Sequence, residues 1–401
     1  MDQYITTLLT LDGWEVMGLE ETATGWLVTV DAPHPAHCPH CGHPTLHRHG
    51  TLAPRQVPHG AVGLRPLMLT WVPRRWRCAA CRQTVCPRPA GLRPWQRWTP
   101  AAQEAALILL REASFRHTAR LLGVTDGRLR RLVDRVVPTA DTTWWDQPGD
   151  LVLSLDEHSF RGPDLLITIA LHAPDRRLLA LLPDDRLHSL EAWFAAIPEA
   201  VRARIRAVTV DLKRAYARVV RRWCPNAQVL ADPFHLIQDA NRRLDEIRRL
   251  EQAESRTAIP RWPLVKGHEH LTPHQHAQLA EIQRRWPTLG QLYHLKEDLR
   301  ALFRAQTPAE VRQAWERWVI NAEACDHAEG MAWARTIRRW RREILGHWSQ
   351  PQRWTNGLIE GYHTKIKQLK RLSYGFRNRD RYRRKMFLGF LPLTAIPQLL
   401  T

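Results

Sequence analysis

Apolar and polar residues alternate near the start of the chain, and this alternation is typical of strands. Residues 26–33 alternate between apolar and polar side chains, and Gly13 and Gly25 interrupt the stretch as turn residues do. We therefore expect a region of short strands over residues 1–31.

A helical period replaces the alternation over residues 99–140. Thr99 is a predicted N-cap, with Pro100 at the first helical position. One short helix is predicted to end at Gly123, and a second to begin near Thr125 after a tight turn. This spacing is that of a helix-turn-helix, and a plain three-helix bundle is the alternative.

After a predicted linker at 141–150, the pattern becomes that of an α/β domain. Five apolar runs predict strands, with predicted helices at 189–200 and 213–223 between them. A long helical stretch at 234–348 interrupts this pattern, and a last helical region follows at 355–395. The predicted strands are 151–160, 164–173, 176–184, 205–212 and 227–234.

The segment 32–98 is rich in Pro, His, Cys and Arg, and has too few apolar residues to predict a conventional core. It contains two Cys-x2-Cys pairs, Cys38 with Cys41 and Cys78 with Cys81. Each pair can supply two thiolates to a tetrahedral ion, so we expect a structural Zn²⁺ that holds a basic domain together. The alternatives are four reduced cysteines without a metal, or replacement of one ligand by His37, His40, His43, His47 or Cys86.

The charge of the chain points to a polyanionic partner. Its 401 residues include 59 Lys and Arg against 40 Asp and Glu, a net charge of +19, which favours nucleic acid. Ten Arg and no acid lie in 32–103, and ten Lys or Arg with one acid lie in 361–390. The expected DNA-binding residues are Arg128, Arg130, Arg131, Lys365, Lys367, Lys370, Arg371 and Arg377.

Nothing in the sequence predicts a membrane protein or a secreted one. No apolar run approaches the roughly 20 residues that span a bilayer. Residues 1–10 lack the basic and apolar regions of a secretion signal. We therefore expect a soluble, cytoplasmic protein with no membrane partner.

Acidic residues lie at the ends of two predicted strands. Asp156 lies at or near the end of the first strand, and Asp211 ends the fourth. Acids at the carboxyl ends of neighbouring strands border a crevice and can share divalent cations such as Mg²⁺ in phosphoryl transfer. Glu360 is expected to add a third carboxylate, on a helix face shared with His363 and Lys367. For each acid alone, a strand-edge or surface charge is the alternative.

The order of these features resembles that of the ISL-three family of bacterial insertion-sequence transposases. The block 356–378 carries the most specific part of the resemblance, and the block 208–249 also matches. The resemblance implies a multidomain α/β protein with an RNase H-like catalytic core. The core is expected in two parts, 151–233 and 349–401, which flank an all-helical insertion at 234–348. The zinc-binding domain and the helix-turn-helix precede it.

The resemblance also implies the site residues. Asp156, Asp211 and Glu360 would be the catalytic acids of a DDE transposase and would bind Mg²⁺ or Mn²⁺. Asp232 is the rival for the second acid, because Asp232 and His235 form a motif similar to one in Mutator-like transposases. The residues expected to be accessory, near the site, are Asp232, His235 and Asn356.

The activity implied by the resemblance is DNA transposition. The enzyme would bind the terminal inverted repeats of its element, cleave them, and join the 3′-OH ends to target DNA. Its partner would be double-stranded DNA of the bacterial nucleoid, held by a homodimer or a larger synaptic complex. The alternatives are a domesticated DNA-binding regulator and an RNase H-like nuclease without strand transfer.

Overall fold

The computed structural model describes residues 6, 7, 9, 11, 13–88, 92 and 96–400. Parts of the predicted regions 1–31 and 32–98 therefore lie outside the described residues. The chain forms two compact units, residues 1–140 with 363–401 and residues 141–362. The C-terminal segment from 363 thus folds with the N-terminal domains.

A four-stranded sheet begins the first unit and has a conventional apolar core. Alternate residues of one strand, Leu67, Leu69 and Trp71, are buried in this core with Val28 and Val30. The strands are β1 (Glu15–Thr22), β2 (Gly25–Asp31), β4 (Arg55–Val62) and β5 (Arg65–Trp71). Their order in the sheet is β1-β2-β5-β4, with β2 and β5 parallel.

A separate three-stranded sheet carries the paired cysteines. It consists of β3 (Leu46–Thr51), β6 (Arg74–Cys78) and β7 (Thr84–Val85) in the order β3-β6-β7. The chain leaves this sheet after β3, forms β4 and β5, and then returns. The structure thus divides residues 1–98 differently from the predicted boundary at residue 31, because β5 pairs with β2 and buries its apolar side chains in the same core.

Three helices follow, at the positions that the sequence predicts. The Thr99 side chain accepts a hydrogen bond from the Ala102 N–H at 3.2 Å, and Thr125 caps the third helix in the same way. Gly123, between the second and third helices, has a φ of +61°, which glycine adopts without strain. The helices are α1 (Pro100–Leu110), α2 (Phe115–Leu121) and α3 (Asp126–Val136).

The last long helix, α15 (Arg379–Leu388), packs against α1 and α3. Arg381 binds Asp134 of α3 through Nε at 3.0 Å, and the fully buried Lys385 donates to the Leu110 carbonyl. The predicted division assigned 349–401 as a whole to the catalytic core. The structure differs because the buried face of α15 completes the core of the helix-turn-helix.

The second unit is built on a five-stranded sheet. The strands are β8 (Leu151–Arg161), β9 (Asp164–Ala173), β10 (Arg177–Leu181), β11 (Ile205–Val210) and β12 (Gln228–Ala231). Their order is β10-β9-β8-β11-β12. The first three strands along the chain pair antiparallel, and β11 is parallel to both β8 and β12. This arrangement is that of the RNase H-like core, as predicted.

Helices connect the strands and form the insertion. The insertion has its own apolar core, which includes Leu244, Leu279, Leu289 and Tyr293. The connecting helices are α4 (Leu187–Ala196), α5 (Glu199–Arg202) and α6 (Arg214–Trp223). The insertion comprises α7 (Pro233–Ser255), α8 (Trp262–Val265), α9 (Pro273–Arg285), α10 (Pro287–Arg304), α11 (Pro308–Glu323), α12 (Ala328–Arg339) and α13 (Arg341–Leu345), and α14 (Gly357–Leu372) follows it.

Across the part of the chain that the structure describes, no helix is long and apolar enough to cross a bilayer.

The buried Lys385 predicts a pH dependence of stability. Burial lowers its pKa to about 8, below the roughly 10.4 of an unfolded lysine. The native state therefore disfavours the charged form, and its stability should rise between pH 8 and 10.4 as that form is lost. In urea unfolding from pH 7.5 to 9.5, the free energy of unfolding of wild type should rise relative to that of Lys385→Met, by at most about 1.4 kcal/mol per pH unit. Lys367→Met, at an exposed position, should show no such trend. If the difference in the free energy of unfolding between wild type and Lys385→Met stayed constant with pH, the prediction would be contradicted.

Candidate active site and cysteine cluster

Three aspartates lie in one row across the parallel strands of the second unit. Thr209 of β11 lies opposite Ser154 of β8, and each strand reaches an aspartate two residues later, Asp211 and Asp156. Val210 lies opposite Ala231 of β12, so Asp232 follows beside Asp211. Because β8, β11 and β12 are parallel, all three carboxylates lie at the same edge of the sheet. Asp156 is not at the end of its strand as predicted, because β8 pairs with β9 as far as Arg161.

His235, in the first turn of α7, lies among these carboxylates. Its Nδ1 is 3.4 Å from Asp211 Oδ1, and its Nε2 is 3.7 Å from Asp156 Oδ1 and 3.9 Å from Asp232 Oδ2. Asp232 is fully buried and Asp156 is 7% exposed, whereas the Asp211 side chain is 28% exposed. The sequence motif of Asp232 and His235 therefore belongs to the same site as Asp156 and Asp211.

The electrostatics of the site are dominated by this histidine and its acidic neighbours. Burial by itself lowers the pKa of His235, but the nearby Asp156 carboxylate, together with the charges of Asp211 and Asp232, outweighs burial and raises the pKa to about 9. The imidazole is therefore protonated at neutral pH, and it places a positive charge between the aspartates. Burial raises the pKa of Asp232.

Asn356 joins the last helical region to the sheet. Its side chain donates to the Leu155 carbonyl at 3.0 Å and accepts from the Thr209 hydroxyl at 2.6 Å. Its backbone N–H donates to Asp232 Oδ1 at 3.0 Å. Asn356 is fully buried, and these bonds reach all three strands that lead to the aspartates. The start of α14 is thereby fixed against the acidic edge of the sheet.

Glu360 lies one turn further along α14. Its N–H donates to the Asn356 carbonyl at 3.0 Å, and its side chain is half-buried. The Glu360 carboxylate is close enough to Asp232 that its charge adds to the rise in the pKa of that residue. The fourth acid therefore lies near the row of aspartates, although within the described residues only the cysteines below bring three or more ligand atoms within 4.8 Å of one another.

Two buried or half-buried histidines hold the flanking segments in place. His172 of β9 donates from Nε2 to the Thr355 carbonyl at 2.8 Å, and His347 donates from Nε2 to the Ala231 carbonyl at 2.8 Å. Burial lowers the pKa of both imidazoles, so each is a neutral donor. The residues directly before Asn356 and Asp232 are thus anchored on the sheet.

Glu157, the neighbour of Asp156, has a structural role. Its carboxylate is 2.5 Å from Lys213 Nζ and also accepts from the Tyr216 hydroxyl. These bonds fix the turn after Asp211 against β8. The sequence places Glu157 on the opposite face of the strand from Asp156, and these partners agree with that placement.

The four paired cysteines lie together in the first unit. Cys38 Sγ is 3.7 Å from Cys81 Sγ, Cys41 Sγ is 3.6 Å from Cys78 Sγ, and all four sulfur atoms lie within 4.8 Å of one another. Tetrahedral thiolates at about 2.3 Å from zinc have sulfur atoms roughly 3.8 Å apart, so the spacing fits. The group contains none of the alternative ligands, which were His37, His40, His43, His47 and Cys86.

Both cysteine pairs lie on the same kind of turn. The Gly42 N–H donates to the Cys38 carbonyl at 2.8 Å, and the Arg82 N–H donates to the Cys78 carbonyl at 3.1 Å. Gly42 and Arg82 have φ angles of +74° and +58°. A backbone hydrogen bond from Cys81 lowers the pKa of the Cys78 thiol, whereas burial and hydrogen bonds from the other cysteines raise the pKa of the Cys81 thiol.

The predicted DNA-binding residues differ in their availability. Arg130 is paired with Asp126, and Lys365 is paired with Glu112, each at 2.9 Å. Arg128 is half-buried over the Trp98 ring. Lys370 is half-buried, whereas the remaining four are exposed: Arg131, Lys367, Arg371 and Arg377.

Three family models match the chain in the order in which the domains occur. A zinc-finger model of the transposases IS204, IS1001, IS1096 and IS1165 matches residues 34–81. A helix-turn-helix model of transposase family ISL3 matches residues 89–137, and a transposase model of the same family matches residues 153–386. Fold and matches together define a DNA-binding transposase of the DDE type, a polynucleotidyl transferase. The chain belongs to the ISL3 family of transposases, which confirms the resemblance seen in the sequence.

The similarity extends to individual relatives. The chain is 27% identical to the transposase for insertion sequence element IS1001 of Bordetella parapertussis over 330 residues, which cover 80% of each chain. It is 30% identical to the transposase for element IS1557 of Mycobacterium tuberculosis over 258 residues, 56% of this chain and 57% of that one. Among solved structures, the Drosophila P element transposase strand transfer complex matches with a TM-score of 0.41 and 11% identity over 74% of this chain and 92% of that chain.

Sequence reasoning missed the hydroxyls beneath the acids. Ser154 Oγ lies 2.7 Å from Thr209 Oγ1, and because the Thr209 proton goes to Asn356, the Ser154 hydroxyl is the donor of this bond; both side chains are fully buried. Both are polar residues inside apolar strand runs, two positions before Asp211 and Asp156. Because side chains two positions apart in a strand share a face, Ser154 and Thr209 lie on the same face as their aspartates. This spacing could have identified them from the sequence.

Removing the Asn356 side chain should destabilise the second unit. Asn356→Ala leaves the Leu155 carbonyl without its amide donor and removes one of the two hydrogen bonds of the buried Thr209 hydroxyl, and a buried polar group left unpaired costs about 1–3 kcal/mol. Urea unfolding of this variant should show a loss on the order of 2–4 kcal/mol. Asn226→Ala, which removes one exposed hydrogen bond to the Ala203 carbonyl, is the matched control and should cost less than about 1 kcal/mol. Equal losses in the two variants would contradict the role assigned to Asn356.

Proposed function

We propose that Asp156, Asp211 and Glu360 are the catalytic acids and hold Mg²⁺ or Mn²⁺. The observation that carries this proposal is the row of aspartates across β8, β11 and β12, with α14 fixed to the same edge by Asn356. Carboxylate oxygens are the donors that hard divalent cations prefer.

The residues present fit such a cation. The carboxylates of Asp156, Asp211 and Asp232 all lie within 3.9 Å of the His235 ring nitrogens, so they concentrate negative charge at one point. Bound divalent ions would supply a Lewis acid that activates the attacking oxygen and stabilises the leaving oxygen. The acids of the chain fix their position, and Asn356 and Glu157 hold the segments that carry the acids.

Asp211 suits the role of second ligand better than Asp232 does. The Asp211 side chain is partly exposed, so a substrate phosphate and its ion can reach it. Asp232 is fully buried, its pKa is raised, and its Oδ1 already accepts the Asn356 N–H. Asp232 and His235 are accessory residues that shape the charge of the site.

The reaction then has two phosphoryl transfers. Water attacks a phosphodiester at the end of the element, the bond from phosphorus to the 3′ oxygen breaks, and a 3′-OH is released. That 3′-OH attacks a phosphodiester of the target, and the target's 3′ oxygen leaves. Each step exchanges one phosphorus–oxygen bond for another, so no energy-supplying co-reactant is required.

The first unit recognises the DNA in this proposal. The cysteine cluster holds one structural Zn²⁺, and the exposed basic residues bind phosphates of the terminal inverted repeats and of target DNA. Arg131 is the exposed base-reading candidate on α3. Because two element ends must be paired for joining, the active form is a homodimer or a larger synaptic complex.

Isosteric substitutions of the acids test the catalytic assignment. Asp156→Asn, Asp211→Asn and Glu360→Gln should each lower Mg²⁺-dependent cleavage and joining of element-end DNA by at least about a hundredfold, because bound metal contributes several kcal/mol. Binding to the same DNA should be retained. Asp232→Asn should lower the rate less than Asp211→Asn does. The measurement is gel analysis of a labelled end substrate with a plasmid target.

Asp150→Asn is the matched control, since Asp150 is an exposed aspartate paired with Arg206 away from the row. It should cleave and join as wild type does. Binding without cleavage by wild type in Mg²⁺ and Mn²⁺ would instead indicate a regulator, and cleavage without joining would indicate a nuclease. If Asp232→Asn lowered the rate of cleavage and joining more than Asp211→Asn does, the roles of these two residues would be exchanged.

The metal of the cysteine cluster can be counted directly. Elemental analysis of purified protein should find roughly one zinc per chain. Cys41→Ser should lose this zinc and melt at a lower temperature, because binding of a structural metal contributes to folding. Cys86→Ser changes a cysteine of the same segment outside the cluster and should keep both zinc and melting temperature. Zinc retained in Cys41→Ser, or absent from wild type, would refute the site.

A further inference from the structure

The segment after α14 presents an aromatic side chain to solvent. Tyr374 is 92% exposed, in a chain whose other described large hydrophobic side chains mostly pack against neighbours. It lies in the first unit, between the basic end of α14 and the helix α15 that packs on the helix-turn-helix. A ring in this position adds nothing to the core, so its exposure calls for another explanation.

The segment is held firmly beneath this ring. The Tyr374 N–H donates to the Arg371 carbonyl at 3.0 Å, and the Gly375 N–H donates to the Lys370 carbonyl at 3.3 Å. Phe376 is buried and packs edge-on against Phe115, with ring centroids 6.5 Å apart. The backbone under Tyr374 is therefore fixed on both sides, and the exposed ring is presented from a rigid base.

The backbone at Tyr374 is also strained. Its φ is +55°, in the left-handed region where glycine is the usual residue at a helix C-terminus. Glycine would close the helix here without a steric penalty. The tyrosine ring therefore comes at a cost in stability, and strain of this kind concentrates at functional positions.

A groove runs beside the ring. It has a volume of about 420 Å³ and is lined by Tyr374 together with Ser114, Arg116, His117 and Arg120 of the helix-turn-helix region. Arg116 and Arg120 are one turn apart on α2, and both are exposed. The groove thus combines two guanidinium groups with one aromatic face, and its volume lies in the range of small-ligand sites.

We propose that this groove binds an unpaired nucleotide of the DNA. The base stacks on the Tyr374 ring, and Arg116 and Arg120 bind the adjacent phosphates. Stacking on an exposed aromatic side chain beside basic residues is how proteins hold single-stranded DNA. Duplex DNA keeps its base faces covered and would leave the ring unused, so the ring selects a frayed or nicked end. This inference rests on the proposed function, since element-end DNA supplies the nucleotide.

Fluorescence anisotropy with two matched probes tests the inference. One probe is a blunt element-end duplex, and the other is the same duplex with a short single-stranded extension that carries 2-aminopurine at its first unpaired position. Wild type should bind the extended probe roughly 5- to 150-fold more tightly, the range for one stacked base, and should quench the 2-aminopurine. Tyr374→Phe keeps the ring and should keep both effects.

Tyr374→Gly removes the ring and relieves the positive φ, so a folding defect cannot explain a loss in this variant. This variant should bind the blunt probe as wild type does. It should no longer bind the extended probe more tightly than the blunt one, and it should no longer quench the 2-aminopurine. Trp262→Ala, at another exposed aromatic residue, is the control and should behave as wild type. A preference retained in Tyr374→Gly, or absent from wild type, would overturn the inference. Failure of wild type to bind the blunt probe would instead count against the proposed recognition of element ends, because the extended probe reports on the groove by itself.

Discussion

The arrangement of the acidic site depends on the hydrogen bonds of one buried side chain. Asn356 lies more than a hundred residues after the strands in sequence, and it arrives at the sheet only after the whole helical insertion. Its amide satisfies two polar groups that the strands bury, and its N–H meets Asp232. A buried amide without hydrogen-bond partners is unfavourable, so these bonds hold Asn356 in one position. Glu360 lies one turn later on the same helix, and its position is therefore fixed as well.

The charge of the site also depends on one side chain, His235. Three aspartates along one sheet edge would repel one another, and the repulsion would favour the unfolded chain. His235 offsets that repulsion from within the first turn of α7, because the acids hold it in the protonated form. The insertion therefore contributes to the site at both of its ends, through His235 where it begins and through His347 where it returns to Ala231.

Much of this organisation could be predicted from the sequence, because the local periodicity of apolar residues indicates where the helices and strands lie. The five core strands and the helix-turn-helix each have a pattern of their own, and acids at the ends of parallel strands are brought to one edge by topology. The pairing of β5 with β2 has no such local signature. The burial of Lys385 against α1 contradicts what its charge suggests. These features depend on which distant surfaces meet, and hydrophobic pattern alone does not specify that.

The interrupted path of the cysteine sheet has a consequence for the order of assembly. Cys38 and Cys41 precede the hairpin of β4 and β5, and Cys78 and Cys81 follow it. The four thiols can meet only when the intervening chain has closed into a compact loop, and that closure has an entropic cost. A hairpin already paired with β2 shortens the effective loop. Pairing of β4 and β5 with the neighbouring sheet therefore lowers the entropic cost of bringing the two cysteine pairs together.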